Sequence, residues 1–74
     1  MHNYGTKDFI ELRNHHAAFQ FRLDGYFNNT PLYKVYKLEA DCWMYQGAMT
    51  FAERTPYYRM FEKAWFEFTH KGCL

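Results

Sequence analysis

Apolar residues recur at helical spacing through the first third of the chain. One face of a helix there would carry Phe9, Leu12, His16, Phe19 and Leu23. Asp8 and Glu11 have the spacing of a capping box, which satisfies backbone N–H groups at a helix start. Gly25 follows at a position where a helix commonly ends. The pattern therefore predicts a first helix over about residues 8–24.

Two Thr-Pro pairs predict two further helices. Thr30-Pro31 and Thr55-Pro56 each place a capping residue before a proline, whose missing N–H costs nothing at a first helical position. The predicted helices span about 31–53 and 56–71, and Gly47 either ends the second early or lies inside it. No segment alternates apolar and polar residues over a strand's length between hairpin turns. The predicted fold is all-α, a compact three-helix bundle in a single domain, 1–74.

The chain carries more aromatic residues than such a bundle needs. Seventeen of its 74 residues are Phe, Tyr or Trp, and the predicted helices have secondary apolar stripes beside their core-facing ones. Three explanations stay open: widened core stripes, a helical homodimer, or an interface for another protein, where Tyr, Trp and Arg are enriched. The predicted partner-binding residues are Phe66, Tyr58, Arg59 and Tyr45, with Ile10 and Phe21 as a second patch.

The polar residues do not predict an enzyme, a metal or a cofactor. The chain has no Ser and no C-x-x-C motif, and its four Gly are isolated. His15 and His16 are adjacent, so on a helix they would point about 100° apart and could not ligate one metal from the same face. Glu39 lies within the apolar stripe of the predicted second helix, so we expect it to pair with His16 or Arg13 of an antiparallel first helix. Cofactors and metals are predicted to be absent.

Sequence features also predict the location. The N-terminal residues have no apolar signal core, and no apolar run approaches the roughly 20 residues of a membrane span. Cys42 and Cys73 are too few for a disulfide framework and are expected to be free thiols. We therefore expect a cytoplasmic protein that is not bound to a membrane.

These observations predict a non-enzymatic protein-protein interaction module. Its short, aromatic-rich profile resembles that of the small accessory proteins that bacteriophages encode to bind and inhibit host proteins. That resemblance implies an inhibitor or adaptor that occludes a partner's surface. The alternative is a helix-turn-helix regulator of nucleic acid, with Arg54, Arg59 and Lys63 facing the groove. The net charge of +1, with no basic run, makes nucleic acid the less favoured partner.

Overall fold

The chain folds as an antiparallel β-sheet with one helix packed on it. The structure, a computed structural model, describes residues 2–6 and 8–69. The elements in chain order are β1 (His2–Gly5), β2 (Phe9–Arg13), β3 (Ala18–Phe27), β4 (Thr30–Glu39), β5 (Cys42–Thr50) and α1 (Tyr57–Thr69). The strands form a meander in the order β1-β2-β3-β4-β5, and each pairs with its neighbour in antiparallel register.

The prediction of an all-α three-helix bundle is wrong. The segments predicted as helices over 8–24 and 31–53 form β2, β3, β4 and β5 instead. The predicted third helix corresponds to α1, which is shorter than 56–71, and residues 70 and 71 lie outside the described part of the chain. The helical homodimer and the helix-turn-helix reading both need the second helix, so they fail with it.

Tight turns explain why the chain folds back on itself at Asn28-Asn29 and Ala40-Asp41. Asn28 and Asn29 have φ angles of 50° and 64°, and Ala40 and Asp41 have 50° and 65°. Two successive residues with positive φ are typical of the two-residue hairpin loop, whose twist matches that of the strands it joins. Asn tolerates this left-handed conformation well, whereas Ala does so only at a cost.

The strand periodicity was hidden by the even spacing of the apolar residues. Phe19 and Leu23 are four residues apart, so they share a face of a helix and equally share a face of a strand. In β3 the buried rings of Phe19 and Phe21 alternate with Gln20 and Arg22. One face of the sheet is therefore apolar and the other carries polar and aromatic side chains.

The core lies between the sheet and α1. The buried apolar cluster consists of Ile10, Leu12, Phe19, Phe21, Tyr33, Val35, Phe51, Met60, Phe61 and Ala64. Its rings meet edge to face, with centroids 5.3 Å apart for Phe19 and Phe61 and 5.7 Å apart for Phe21 and Phe51. Edge-to-face contacts are a favoured aromatic geometry, so the rings supply the packing that the few branched aliphatic residues cannot.

A β-bulge interrupts the register of β4 and β5 near the C-terminal end of α1. Val35 pairs with Gly47 and Tyr36 with Tyr45, so Gln46 is the extra residue. Gly47 has a φ of 152°, and a Cβ there would lie 3.2 Å from Cε1 of Phe68. Glycine thus lets the C-terminal end of α1 sit close to the sheet. The helix covers one face only, and no other described element covers the opposite face.

Among the described residues, no helix has the length and apolar character needed to cross a membrane.

Candidate interaction surfaces

The six residues predicted to bind a partner fall in three different places. Ile10 and Phe21 lie in the core and are 4% and 0% exposed. Tyr58, Arg59 and Phe66 lie on α1, and Tyr45 lies on the uncovered face of the sheet. The predicted residues therefore do not form one patch.

The second predicted patch, Ile10 and Phe21, is not a surface. These residues are direct partners in the register of β2 and β3, and both side chains point toward α1 as part of the buried cluster. On a helix they would have formed a stripe separate from the core. On paired strands they belong to the apolar face, so they cannot contact a partner without unfolding.

A groove runs between α1 and the loop that joins β2 to β3. It has a volume of about 520 Å³, and it is lined by Asn14, His16, Tyr58, Phe61, Glu62, Trp65 and Phe66. We call it the helix groove. Tyr58 and Phe66 are 59% and 60% exposed, and they lie eight residues apart on the helix, on the same side as Glu62. Two large rings therefore flank one concave, mainly apolar site.

The floor and wall of the helix groove are held in place by the β2–β3 loop. The side-chain oxygen of Asn14 accepts hydrogen bonds from the backbone N–H groups of His16 (2.7 Å) and Ala17 (3.0 Å). The His16 ring lies against that of Trp65, with centroids 5.9 Å apart. Because Trp65 also packs against the core, the groove has a supported wall and exposed rims.

An exposed ion pair between Arg59 and Glu62 lies at the helix groove. Arg59 Nη1 lies 3.7 Å from Glu62 Oε1, and both side chains are more than half exposed. Such a pair contributes little to stability in water. Both charged groups therefore remain largely exposed to solvent.

The uncovered side of the sheet, which we call the open face, carries residues in register across four strands. Glu11 pairs with Gln20, Gln20 with Tyr36, and Tyr36 with Tyr45. The neighbouring row includes Arg13 on β2 and Trp43 on β5. The open face comprises Phe9, Glu11, Arg13, Ala18, Gln20, Arg22, Asp24, Leu32, Lys34, Tyr36, Leu38, Trp43, Tyr45, Ala48 and Thr50.

A chain of hydrogen bonds links two arginines across the open face. Arg22 donates from Nε and Nη2 to Gln20 Oε1, at 3.3 and 2.8 Å. Gln20 donates from Nε2 to Glu11 Oε1 at 3.0 Å, and Arg13 Nε donates to Glu11 Oε2 at 2.7 Å. Gln20 is only 6% exposed, so this network is anchored in the sheet.

Each of these arginines also lies against an aromatic ring. The guanidinium carbon of Arg22 is 4.0 Å from the centre of the Tyr36 ring, and that of Arg13 is 5.7 Å from the centre of the Trp43 ring. Tyr45 meets Tyr36 at 61°, with centroids 5.5 Å apart, and is 55% exposed. The arrangement is two guanidinium–ring contacts joined by one polar network.

The network sets the charge of Glu11. Partial burial raises the pKa of Glu11. Hydrogen bonds from Gln20 and Arg13, together with the positive charge of Arg13, lower it by more than burial raises it, so the pKa lies below its ordinary value. Glu11 is therefore ionised at neutral pH and keeps Arg13 in place.

The expected pairing of Glu39 with His16 or Arg13 does not occur. Glu39 is exposed at the end of β4, and Lys37 Nζ is 3.8 Å from its carboxylate. Arg13 binds Glu11 instead, and His16 lies against Trp65. The pairing was expected because two antiparallel helices would have met there, and those helices do not form.

The remaining candidate chemistry can be located only in part. Cys42 is an exposed free thiol, whereas Cys73 lies outside the described residues. In residues 2–6 and 8–69, no three His, Cys, Asp or Glu side chains are grouped so that they could hold a metal ion.

Sequence reasoning missed the open face. None of Arg13, Gln20 and Arg22 is among the residues that the sequence pattern predicts to bind a partner. The alternation of Phe19 and Phe21 with Gln20 and Arg22 was the available signal, together with Asn28-Asn29 as a hairpin turn. Together these signals place Gln20 and Arg22 on the face of a strand opposite the two rings.

In comparisons with known proteins, no family model, curated protein or solved structure matches this chain.

Proposed function

We propose that this protein is a non-enzymatic protein-binding module, a small inhibitor or adaptor that occludes a surface of another protein through the helix groove. The observation that carries the proposal is the exposure of Tyr58 and Phe66, 59% and 60%, on the two sides of a concave apolar site. Large exposed aromatics around a pocket are typical of the residues that dominate binding energy at protein interfaces.

The groove suits an apolar anchor from the partner. Its volume of about 520 Å³ is enough for one or two side chains, which would pack between Tyr58, Trp65 and Phe66. Arg59 and Glu62 stand beside it with opposite charges, and exposed charges at a rim set orientation and association rate more than affinity. The occupant we propose is therefore a segment of another protein with an exposed apolar side chain.

The proposal includes a cytoplasmic location. The exposed free thiol of Cys42 suits a reducing compartment, where thiols are not driven into disulfides. The profile shared with small phage accessory proteins supports the same setting, in which an inhibitor meets its target inside a host cell.

The test compares matched aromatic substitutions. Partners captured by the tagged protein are identified by mass spectrometry, and each is then titrated in purified form against Phe66→Ala and Tyr58→Ala by calorimetry. Each substitution should weaken binding by about 30-fold or more, as expected for an interface anchor worth about 2 kcal/mol. Phe27→Ala and Tyr26→Ala are the controls, since these rings are 62% and 53% exposed on the β3–β4 hairpin.

Three results would contradict the proposal. Equal losses for Phe66→Ala and Phe27→Ala would show that the groove is not the interface. If Phe66→Ala and Tyr58→Ala both bind the partner with unchanged affinity, the groove is likewise not the interface. A mass by light scattering of twice 9.1 kDa, reduced to the monomer by Phe66→Ala, would assign the groove to a second copy of this chain.

A further inference from the structure

We infer that the open face of the sheet binds single-stranded nucleic acid, whose bases stack on Tyr45 and on the guanidinium groups of Arg22 and Arg13. This inference goes beyond the proposed protein binding, and it uses the opposite side of the molecule from the helix groove. It depends on the placement of rings and cations across the strands.

The open face presents an exposed ring and two guanidinium groups that lie over rings. Arg22 lies over Tyr36 at 4.0 Å and Arg13 over Trp43 at 5.7 Å, while Tyr45 is 55% exposed beside Tyr36. Unpaired bases stack both on aromatic rings and on guanidinium planes. A base can therefore lie on Tyr45 and its neighbour on the outer side of an arginine that a ring already supports.

The charges of the open face favour a polyanion. Its described residues include three cations (Arg13, Arg22 and Lys34) and two carboxylates (Glu11 and Asp24). Each carboxylate already has a cationic partner, with Arg13 Nε 2.7 Å from Glu11 and Lys34 Nζ 3.6 Å from Asp24. Arg22 hydrogen-bonds the neutral Gln20, so its charge remains available for a phosphate.

The whole-chain charge of +1 is a poor guide to this face. The ion-paired Glu62 belongs to α1, on the other side of the sheet, and does not oppose a ligand on the open face. The cationic excess is nevertheless small, so stacking has to provide much of the affinity. We therefore expect an affinity for nucleic acid that depends strongly on the aromatic rings and only weakly on the salt concentration.

The site is organised before any ligand arrives. Gln20 and Glu11 hold the two arginines through three hydrogen bonds and are joined to each other by a fourth, and Gln20 is buried. Side chains that are already ordered lose little conformational entropy on binding. An exposed ring beside two arginines that lie over rings offers surfaces on which splayed bases can stack. A duplex hides the base faces that these surfaces would contact.

The experiment is a fluorescence anisotropy titration with a labelled oligothymidylate of about 12 nucleotides at about 20 mM salt. Wild-type protein should bind it, and Tyr45→Ala should weaken binding about tenfold or more because one stacked base is lost. Tyr45→Phe should bind within about twofold of wild type, because the ring rather than the hydroxyl carries the contact. Tyr58→Ala, on the helix groove, should leave binding unchanged.

A salt series then tests the phosphate contacts. With two or three arginine or lysine contacts, log affinity should fall against log salt with a slope of about −1.4 to −2.1, and Arg22→Ala should make the slope shallower by about 0.7. Thermal melting of every variant establishes that it is folded.

Any of three outcomes would overturn the inference. These are no binding at low salt, equal binding by wild type and Tyr45→Ala, or equal affinity for a duplex of the same length. If the oligonucleotide fails to bind and a purified protein partner instead loses affinity with Tyr45→Ala, the open face is a protein interface. Phe66→Ala and Tyr58→Ala test binding to a protein partner, whereas Tyr45→Ala and Arg22→Ala test binding to the oligonucleotide. Failure of this inference is therefore distinguishable from failure of the proposed function.

Discussion

Replacement of Phe21 by Ala should remove a central part of the core. Phe21 is fully buried, and its ring lies 5.7 Å from that of Phe51 and 6.4 Å from those of Phe19 and Tyr33, measured between centroids. Alanine would leave a cavity between the sheet and α1 and would break all three ring contacts. Sequence periodicity had assigned this residue to a binding surface, so the substitution tests the fold directly.

The expected loss is large relative to the stability of the whole protein. A buried Phe→Ala change costs about 3–5 kcal/mol. A domain of 74 residues has a free energy of unfolding of about 4–11 kcal/mol, from about 0.05–0.15 kcal/mol per residue. Since about 1 kcal/mol corresponds to about 4–8 °C in a domain of this size, the melting temperature should fall by at least about 12 °C.

Urea unfolding followed by far-UV circular dichroism and tryptophan fluorescence measures this loss. Phe21→Leu should cost about 1–1.5 kcal/mol, because most of the volume is retained. Phe66→Ala is the matched control for an exposed ring and should change the free energy of unfolding by no more than about 0.5 kcal/mol.

A small effect of Phe21→Ala would refute the described core. If the variant loses less than about 1 kcal/mol, Phe21 is not packed between the sheet and the helix. If Phe66→Ala is as destabilising as Phe21→Ala, the assignment of α1 faces is wrong and the helix groove is not a surface.

Two further predictions concern a turn and a charge. The double variant Ala40→Asn/Asp41→Gly should raise the free energy of unfolding by about 1 kcal/mol, because both positions have positive φ and Asn-Gly suits this turn; a lower urea midpoint would contradict it. Glu11 has a lowered pKa in the folded state, so its stabilisation is present above the pKa of the unfolded chain and is lost as pH falls through the folded value, below the ordinary 4.5. The difference in melting temperature between wild type and Glu11→Gln should therefore disappear in acid, and a difference that is independent of pH would show that the carboxylate is not involved.

The helix near the C-terminus could be predicted because its signals are local. Thr55-Pro56 precedes it, and Met60, Phe61 and Ala64 have the spacing of a single helical face. The structure has α1 over Tyr57–Thr69 with those three residues buried. An amphipathic helix needs only its own residues and an apolar surface to pack on, so its sequence describes it well.

The same dipeptide at Thr30-Pro31 begins a strand and not a helix. It begins β4, where Thr30 pairs with Phe27 and Pro31 with Tyr26. The turn just before it brings β3 into reach, and pairing along the two strands outweighs the local preference for a helix start. Propensity is a weak guide wherever such tertiary contacts compete with it.

The candidate sites were predictable only where local spacing determines which residues share a face. Tyr58, Arg59 and Phe66 were identified because a helix face can be read from spacing alone. The open face was not, since Arg13 and Trp43 are 30 positions apart in the sequence and meet only because β2 and β5 belong to one sheet. No local pattern encodes a contact over that separation.

By itself the sequence determined the helix near the C-terminus, its buried face and the aromatic excess that the core and surfaces share. The tertiary structure decided which strands pair, that Ile10 and Phe21 are core, and that two arginines and three rings share one face. The physical reason is that apolar residues four positions apart satisfy a helix and a strand equally well. Only the burial gained when distant segments pair, and the hydrogen bonds formed between them, select the sheet.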